Sequence, residues 1–167
     1  MCQLTERLTE DKYKGSQEQI AKTVLKYSSN PAFDVTNFWE QVLLSYFTGN
    51  ADMHLKNFSL LANEEGKYSL APAYDLVNTA LVNPSDNEEL ALTLNGKKSN
   101  LKYSDFVKAF DTLKMPVKVL DNMLHNFYYC RKEMAEMVNR SFLSGEMKSG
   151  YLEVMTKRFE LVPEHVK

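Results

Sequence analysis

Nine consecutive residues, Gly49-Asn50-Ala51-Asp52-Met53-His54-Leu55-Lys56-Asn57, constrain this chain more than any other stretch. They follow a helical apolar pattern and precede a strand pattern, so they read as a short polar loop between two apolar supports. Upstream, Phe38, Trp39, Val42, Leu43, Tyr46 and Phe47 recur at helical spacing and make a broad apolar stripe. Pro31 breaks the preceding helix, Asp34 is placed to cap this one, and Gly49-Asn50 is a fitting stop. Downstream, Phe58-Ser59-Leu60-Leu61 and Tyr68-Ser69-Leu70 read as short strands joined by the turn Glu64-Glu65-Gly66-Lys67, a β-hairpin. Antiparallel strands return to their starting end. The pattern therefore predicts that Asn57, before the first strand, and Asp75, after the second, lie close in space.

Asp52 and Asn57 carry the spacing D-x-x-x-x-N, and Asp75 follows in Ala71-Pro72-Ala73-Tyr74-Asp75-Leu76. Protein-kinase catalytic loops use that spacing. Phosphoryl transfer from ATP needs a carboxylate to orient the attacking hydroxyl, an amide oxygen for a Mg²⁺ ion and a second carboxylate for the metals. Asp52 is the candidate base, and Asn57 and Asp75 are the candidate metal and nucleotide ligands. The plain alternative for Asp52 is a helix-exit turn, where Asn and Asp are common, and the spacing alone recurs by chance. His54 has three readings: metal ligand, brace of the loop, or buried polar residue. With no second His at ligand spacing, the supporting role is preferred. Lys56 reads equally well as a charge that steadies a transferred phosphoryl group or as a solvated loop lysine. Lys97 and Lys98 read as a solvated turn in preference to a site for a phosphate or an acidic partner.

The rest of the chain is mostly helical. Ser16-Gln17-Glu18-Gln19 looks like a capping box ahead of Ile20, Val24 and Tyr27. Asn78 to Asn87, with Pro84, is loop. Leu90, Leu92 and Leu94 alternate as in a short strand ending at Asn95-Gly96. Ser104 is placed to cap a helix through Leu113, and Pro116 stands near the start of a long one. A last helix spans about Glu146 to Leu161. In the long helix Met123, Phe127, Met134 and Met137 read as core or interface. The 167 residues make one domain or one lobe, with an apolar share of 44% that supports a core. A net charge of -2 with no basic block argues against a nucleic-acid groove. Cys2 and Cys130 fit no zinc spacing and read as reduced thiols of a cytoplasmic protein, with a lone disulfide as the alternative. No apolar run approaches a membrane span, and the charged start is no signal peptide.

The stretch from Gly49 through Asn57 to Ser59 resembles the catalytic loop of the HipA serine/threonine kinases, toxins of bacterial toxin-antitoxin pairs. Ala71 through Leu76 resembles their metal-binding segment. Cys2-Gln3-Leu4-Thr5 through Lys12-Tyr13, and Leu90 through Lys98, are also similar to the family. The resemblance covers nearly the whole chain, 1–167, and implies the family's carboxy-terminal lobe: a mainly α (α+β) fold with a short antiparallel hairpin at the active site. It implies Asp52 as base towards a Ser or Thr hydroxyl, with His54 and Lys56 in the same catalytic loop. It implies Asn57 and Asp75 holding Mg²⁺ against the phosphates of ATP. A helix-turn-helix antitoxin is the implied partner, and a protein of translation, such as an aminoacyl-tRNA synthetase, the implied substrate.

The six glycines make no G-x-G-x-x-G and no Walker A, and no strand resembles V-A-I-K. The expectation is that the amino-terminal, nucleotide-covering lobe lies outside this chain, supplied in cis or in trans. The opening at Met1-Cys2-Gln3 reads as the edge of a fragment in preference to a natural split protein. Alone, the chain is expected to be nearly inactive. Two other readings stand beside the enzyme: a pseudokinase or antitoxin-binding module, and a small-molecule or lipid kinase on a related scaffold.

Overall fold

The computed structural model describes residues 1–83 and 85–167; the loop position expected at Pro84 lies outside the described residues. The order of elements is α1 (Gln17–Tyr27), α2 (Pro31–Thr48), β1 (Leu60–Ala62), β2 (Tyr68–Leu70), α3 (Tyr103–Thr112), α4 (Val117–Arg140) and α5 (Gly145–Phe159). Single 3₁₀ turns occupy Gln3–Thr5, Thr9–Asp11 and Leu55–Asn57. Among the described residues the fold is thus mainly helical with one short antiparallel pair, as the sequence pattern predicts.

Helix α2 is the centre of the molecule and packs against α1, α4, α5 and β2. Its stripe is buried all along: Phe38, Trp39, Leu43 and Phe47 have no exposed surface. Each such side chain contributes about 1.5–3 kcal/mol by leaving water. The ring of Phe47 stacks on Phe159 of α5 at 4.3 Å, Trp39 lies 5.0 Å from Phe110 of α3, and Phe38 meets Phe58 edge-on at 5.1 Å. Phe58 is the residue directly after Asn57, so the central helix grips the far end of the polar loop as well as its start.

The helix boundaries differ from the sequence reading at α2 and α3. Helix α2 begins at Pro31, which takes the first helical position after Asn30. Proline suits that place because its missing N–H would have no partner there. Asp34 lies in the first turn, buried, and its carboxylate accepts from Ser28 Oγ (2.5 Å) and from the backbone N–H of Leu70 (2.8 Å). It ties the hairpin to the helix and does not cap it. Helix α3 starts at Tyr103, with Asp105 accepting from the Lys102 N–H at 3.0 Å, where Ser104 had seemed the cap.

The hairpin pairs Leu60 with Leu70, Leu61 with Ser69 and Ala62 with Tyr68. The expected strand at Leu90–Leu94 is absent among the described residues. Thr93 makes a single parallel bridge to Ser16, and Leu94 bridges back to Lys97 around the Asn95-Gly96 turn. Ala91 is as buried as Leu90 and Leu92, so the alternation marks two buried faces of a packed loop. Lys97 and Lys98 are held in ion pairs, with Asp105 at 2.9 Å and Glu88 at 3.1 Å. Both cysteines are free, Cys2 buried and Cys130 exposed. No helix is long and apolar enough to cross a membrane among the described residues.

Gly49 terminates α2 in the left-handed region, φ +74°, and a Cβ there would meet Val154 Cγ1 at 2.8 Å and Asn78 Oδ1 at 3.1 Å. Gly96 has a similar φ of +76° with open space around it. Gly49→Ala is expected to lower stability by about 2 kcal/mol or more, and Gly96→Ala by about 1 kcal/mol, the left-handed cost alone. Urea unfolding of both variants checks the order, and equal losses would contradict it.

Candidate active site

Apolar residues hold the polar loop in place. Met53, Leu55 and Phe58 are buried in the core, alternating with the polar residues of residues 50–57. Between them Asp52 is half-buried and Lys56 exposed, while Asn57 is itself buried. The expected proximity of Asn57 and Asp75 is found: Asn57 Nδ2 donates to Asp75 Oδ2 at 2.9 Å. The same amide nitrogen donates to the Asp52 carbonyl at 3.1 Å. One side chain therefore ties the two carboxylate-bearing segments together.

Asn50, which the sequence pattern marks only as part of a helix stop, makes a second tie. It is 1% exposed. Its Oδ1 accepts from the Asp52 N–H at 3.0 Å, and its Nδ2 donates to the Asp75 carbonyl at 3.2 Å. Asp75 itself is exposed and has a φ of +57°. Aspartate tolerates this left-handed backbone better than most residues, and the Asn50 contact holds it there. Thr79 fastens the next stretch: its Oγ1 accepts from the Ala51 N–H at 2.8 Å, and its N–H donates to the Gly49 carbonyl at 3.1 Å. Tyr74 donates to the Lys56 carbonyl at 2.7 Å.

Asp52 is half-buried, and Tyr13 donates its hydroxyl to Asp52 Oδ1 at 2.6 Å. That hydrogen bond, with burial and the negative charge, pushes the Tyr13 phenol up to about 12. Asp52 and Tyr13 share the wall of a cleft of about 440 Å³ with Thr79, Ala80, Asp86 and Lys98. Lys56 is exposed on the 3₁₀ turn, with its ammonium in no ion pair among the described residues.

His54 is buried, packs edge-on against Tyr13 at 5.0 Å and donates its backbone N–H to the Asp52 carbonyl at 2.8 Å. Its ring Nδ1 is buried with no hydrogen-bond partner among the described residues, so the hydrogen bond that ties it into the loop is that of its backbone. Among the described residues no cluster of three or more His, Cys, Asp or Glu could hold a metal ion. The donors that remain are hard oxygens. The mutual contact uses Asn57 Nδ2 and Asp75 Oδ2, and Asn57 Oδ1 and Asp75 Oδ1 accept no hydrogen bond among the described residues. A pair of oxygen donors of this kind suits Mg²⁺, which takes one or two carboxylates and completes its shell with water and phosphate.

Burial, followed by the Lys12 charge, lowers the pKa of His54 below its ordinary 6.5, against the opposing pull of Asp52 and Asp75. As pH falls below 6.5 the unfolded chain takes up this proton before the folded one does. Its contribution to stability is complete above that value and is lost as pH falls towards the folded pKa. Urea unfolding at about pH 7.5 and about pH 5.5 is expected to show a larger loss in the wild type than in His54→Gln. Equal losses would contradict it.

Known proteins supply an independent comparison. A family model described as the HipA-like C-terminal domain matches residues 1–141. A Haemophilus influenzae protein named "Putative kinase" is 26% identical over 163 residues, 88% of this chain and 48% of its own length. A Sinorhizobium fredii protein named "Putative kinase Y4mE" is 35% identical over 80 residues, 48% of this chain and 18% of its own. A solved Shewanella oneidensis MR-1 complex of the toxin-antitoxin system HipA, HipB and operator DNA contains a chain with the same fold. Its TM-score is 0.82 at 19% identity, over 95% of this chain and 42% of that one. The chain spans about half the length of the Haemophilus influenzae relative. With the family model running over most of its length, the chain belongs to the HipA-like C-terminal domain family.

Proposed function

We propose that residues 1–167 are the catalytic lobe of a HipA-like serine/threonine protein kinase, which moves the γ-phosphate of ATP to a protein hydroxyl. The observation that carries this reading is the contact of Asn57 with Asp75 at 2.9 Å beside Asp52. Family membership and the names of the relatives lend it support.

Each residue then has a defined task. Asp52 has one carboxylate oxygen engaged by Tyr13 and the other left for the acceptor hydroxyl. That oxygen orients the hydroxyl and receives its proton as the new P–O bond forms. The free oxygens of Asn57 and Asp75 hold Mg²⁺. When bound, the ion offsets the negative charge of the phosphates during transfer. His54 braces the loop, and Lys56, exposed beside Asn57, places a positive charge where phosphate oxygens would lie.

Asp75 lies exposed, so phosphates held there need a second body over them to exclude water. An amino-terminal lobe in cis or in trans fills that part of the reading, and the isolated chain turns over far more slowly than the roughly 1 s⁻¹ of whole kinases. A helix-turn-helix antitoxin as partner, a translation protein as substrate and a cytoplasmic location complete the proposal by family analogy.

The test joins this lobe to the amino-terminal half and follows radiolabelled phosphate from ATP to protein. Asp52→Asn is expected to lower kcat by about 10²–10⁴-fold with MgATP binding little changed. Asp75→Asn is expected to abolish the Mg²⁺ dependence of nucleotide binding. Full turnover by Asp52→Asn would refute the assignment of the base, and phosphate appearing only on metabolites or lipids would refute the protein substrate.

A further inference from the structure

Tyr13 lies outside the catalytic loop, 39 residues before Asp52, yet it makes the shortest contact to that carboxylate, 2.6 Å to Oδ1. Three features hold the phenol in place. The carbonyl of Lys12 accepts from the Leu55 N–H at 3.1 Å, which stitches this segment to the loop backbone. The ring packs edge-on against His54 at 5.0 Å, and Lys12 Nζ lies 4.8 Å over its centre. Leu55 is fully buried, so the stitch ends in the core and not in another mobile segment.

We propose that Tyr13 is a positioning residue for the phosphoryl acceptor: by donating to Asp52 Oδ1 it fixes the carboxylate rotamer and reserves Oδ2 for the substrate hydroxyl. This rests on the phosphoryl-transfer reading above. A free aspartate on a loop samples several side-chain rotamers, and only some of them aim an oxygen at a bound hydroxyl. A neutral phenol is well suited to hold one of them. It supplies one donor, carries no charge to compete with the metal site and, with its pKa pushed up to about 12, keeps its proton throughout the range in which a kinase works. The ring also forms part of the wall of the cleft beside Asp52, so the side chain that orients the base borders the space where an acceptor would enter. The bland alternative is that the phenol only closes the surface over His54. The two differ in whether the hydroxyl matters beyond the ring.

Two measurements separate them. The first needs no activity: with tyrosine labelled at Cζ, and over the alkaline range in which the fold persists, Tyr13 is expected to stay protonated past its ordinary 10.0 in the wild type and to titrate nearer 10.0 in Asp52→Ala. A phenol at its ordinary value in the wild type would overturn the contact. The second uses the lobe joined to its amino-terminal half. Tyr13→Phe keeps the ring on His54 and removes only the hydroxyl. It is expected to lower kcat about tenfold with the KM for ATP and the melting temperature unchanged, a split that a packing role would not produce. Unchanged kcat in Tyr13→Phe, beside an active wild type, overturns the positioning role and leaves the kinase reading intact. An inert wild-type assembly overturns the kinase reading, and the positioning role with it.

Discussion

The arrangement depends on one buried amide. Asn50 stands at the exit of the central helix with almost no exposed surface, and its two polar atoms point to two different segments. The oxygen takes the backbone of Asp52 and the nitrogen takes the backbone of Asp75. A buried amide left unpaired costs about 1–3 kcal/mol, so burying Asn50 at the end of α2 favours having both segments in place. Asn57 repeats the bond one layer out, from the Asp52 carbonyl to the Asp75 carboxylate. Two amides thus convert a flexible loop and an exposed turn into one fixed cluster of oxygens.

That cluster has a rigid support. The loop is polar at its surface and apolar beneath, with Met53, Leu55 and Phe58 set into the same core as Phe38 and Trp39. Gly49 lets the helix end with the chain turned tightly against Val154 and Asn78, and Thr79 fastens the returning strand of chain to Ala51. On the other side Asp34 holds the hairpin to the first turn of α2 through Leu70. The hairpin therefore enters and leaves at fixed points, and the separation of Asn57 from Asp75 follows from that geometry. Reactive groups on loops need this kind of support if they are to stay within reach of a transition state.

Much of this was legible in the sequence. The stripe of α2, its stop at Gly49, the hairpin and the meeting of Asn57 with Asp75 all follow from periodicity and strand pairing, which are local or nearly so. Other features depend on partners far along the chain. Asn50 reads the same whether it faces water after a glycine or clamps two segments in the interior. Asp34 resembles a cap until Leu70, 36 residues later, arrives to take its carboxylate. Tyr13 carries no mark of its contact with Asp52. The alternation at Leu90–Leu94 resembled a half-buried strand because a packed loop with buried Ala91 shows the same leucine spacing.

The most direct test of the central claim, that oxygens of Asn57 and Asp75 together hold a divalent cation beside nucleotide, is paramagnetic. Mn²⁺ replaces Mg²⁺ on the lobe joined to its amino-terminal half, with a non-hydrolysable ATP analogue, and side-chain signals are followed by NMR. The expected result is that the Asn57 amide and the Asp75 carboxyl broaden first and together. Sharp signals from both residues, with metal and nucleotide bound, would contradict the claim.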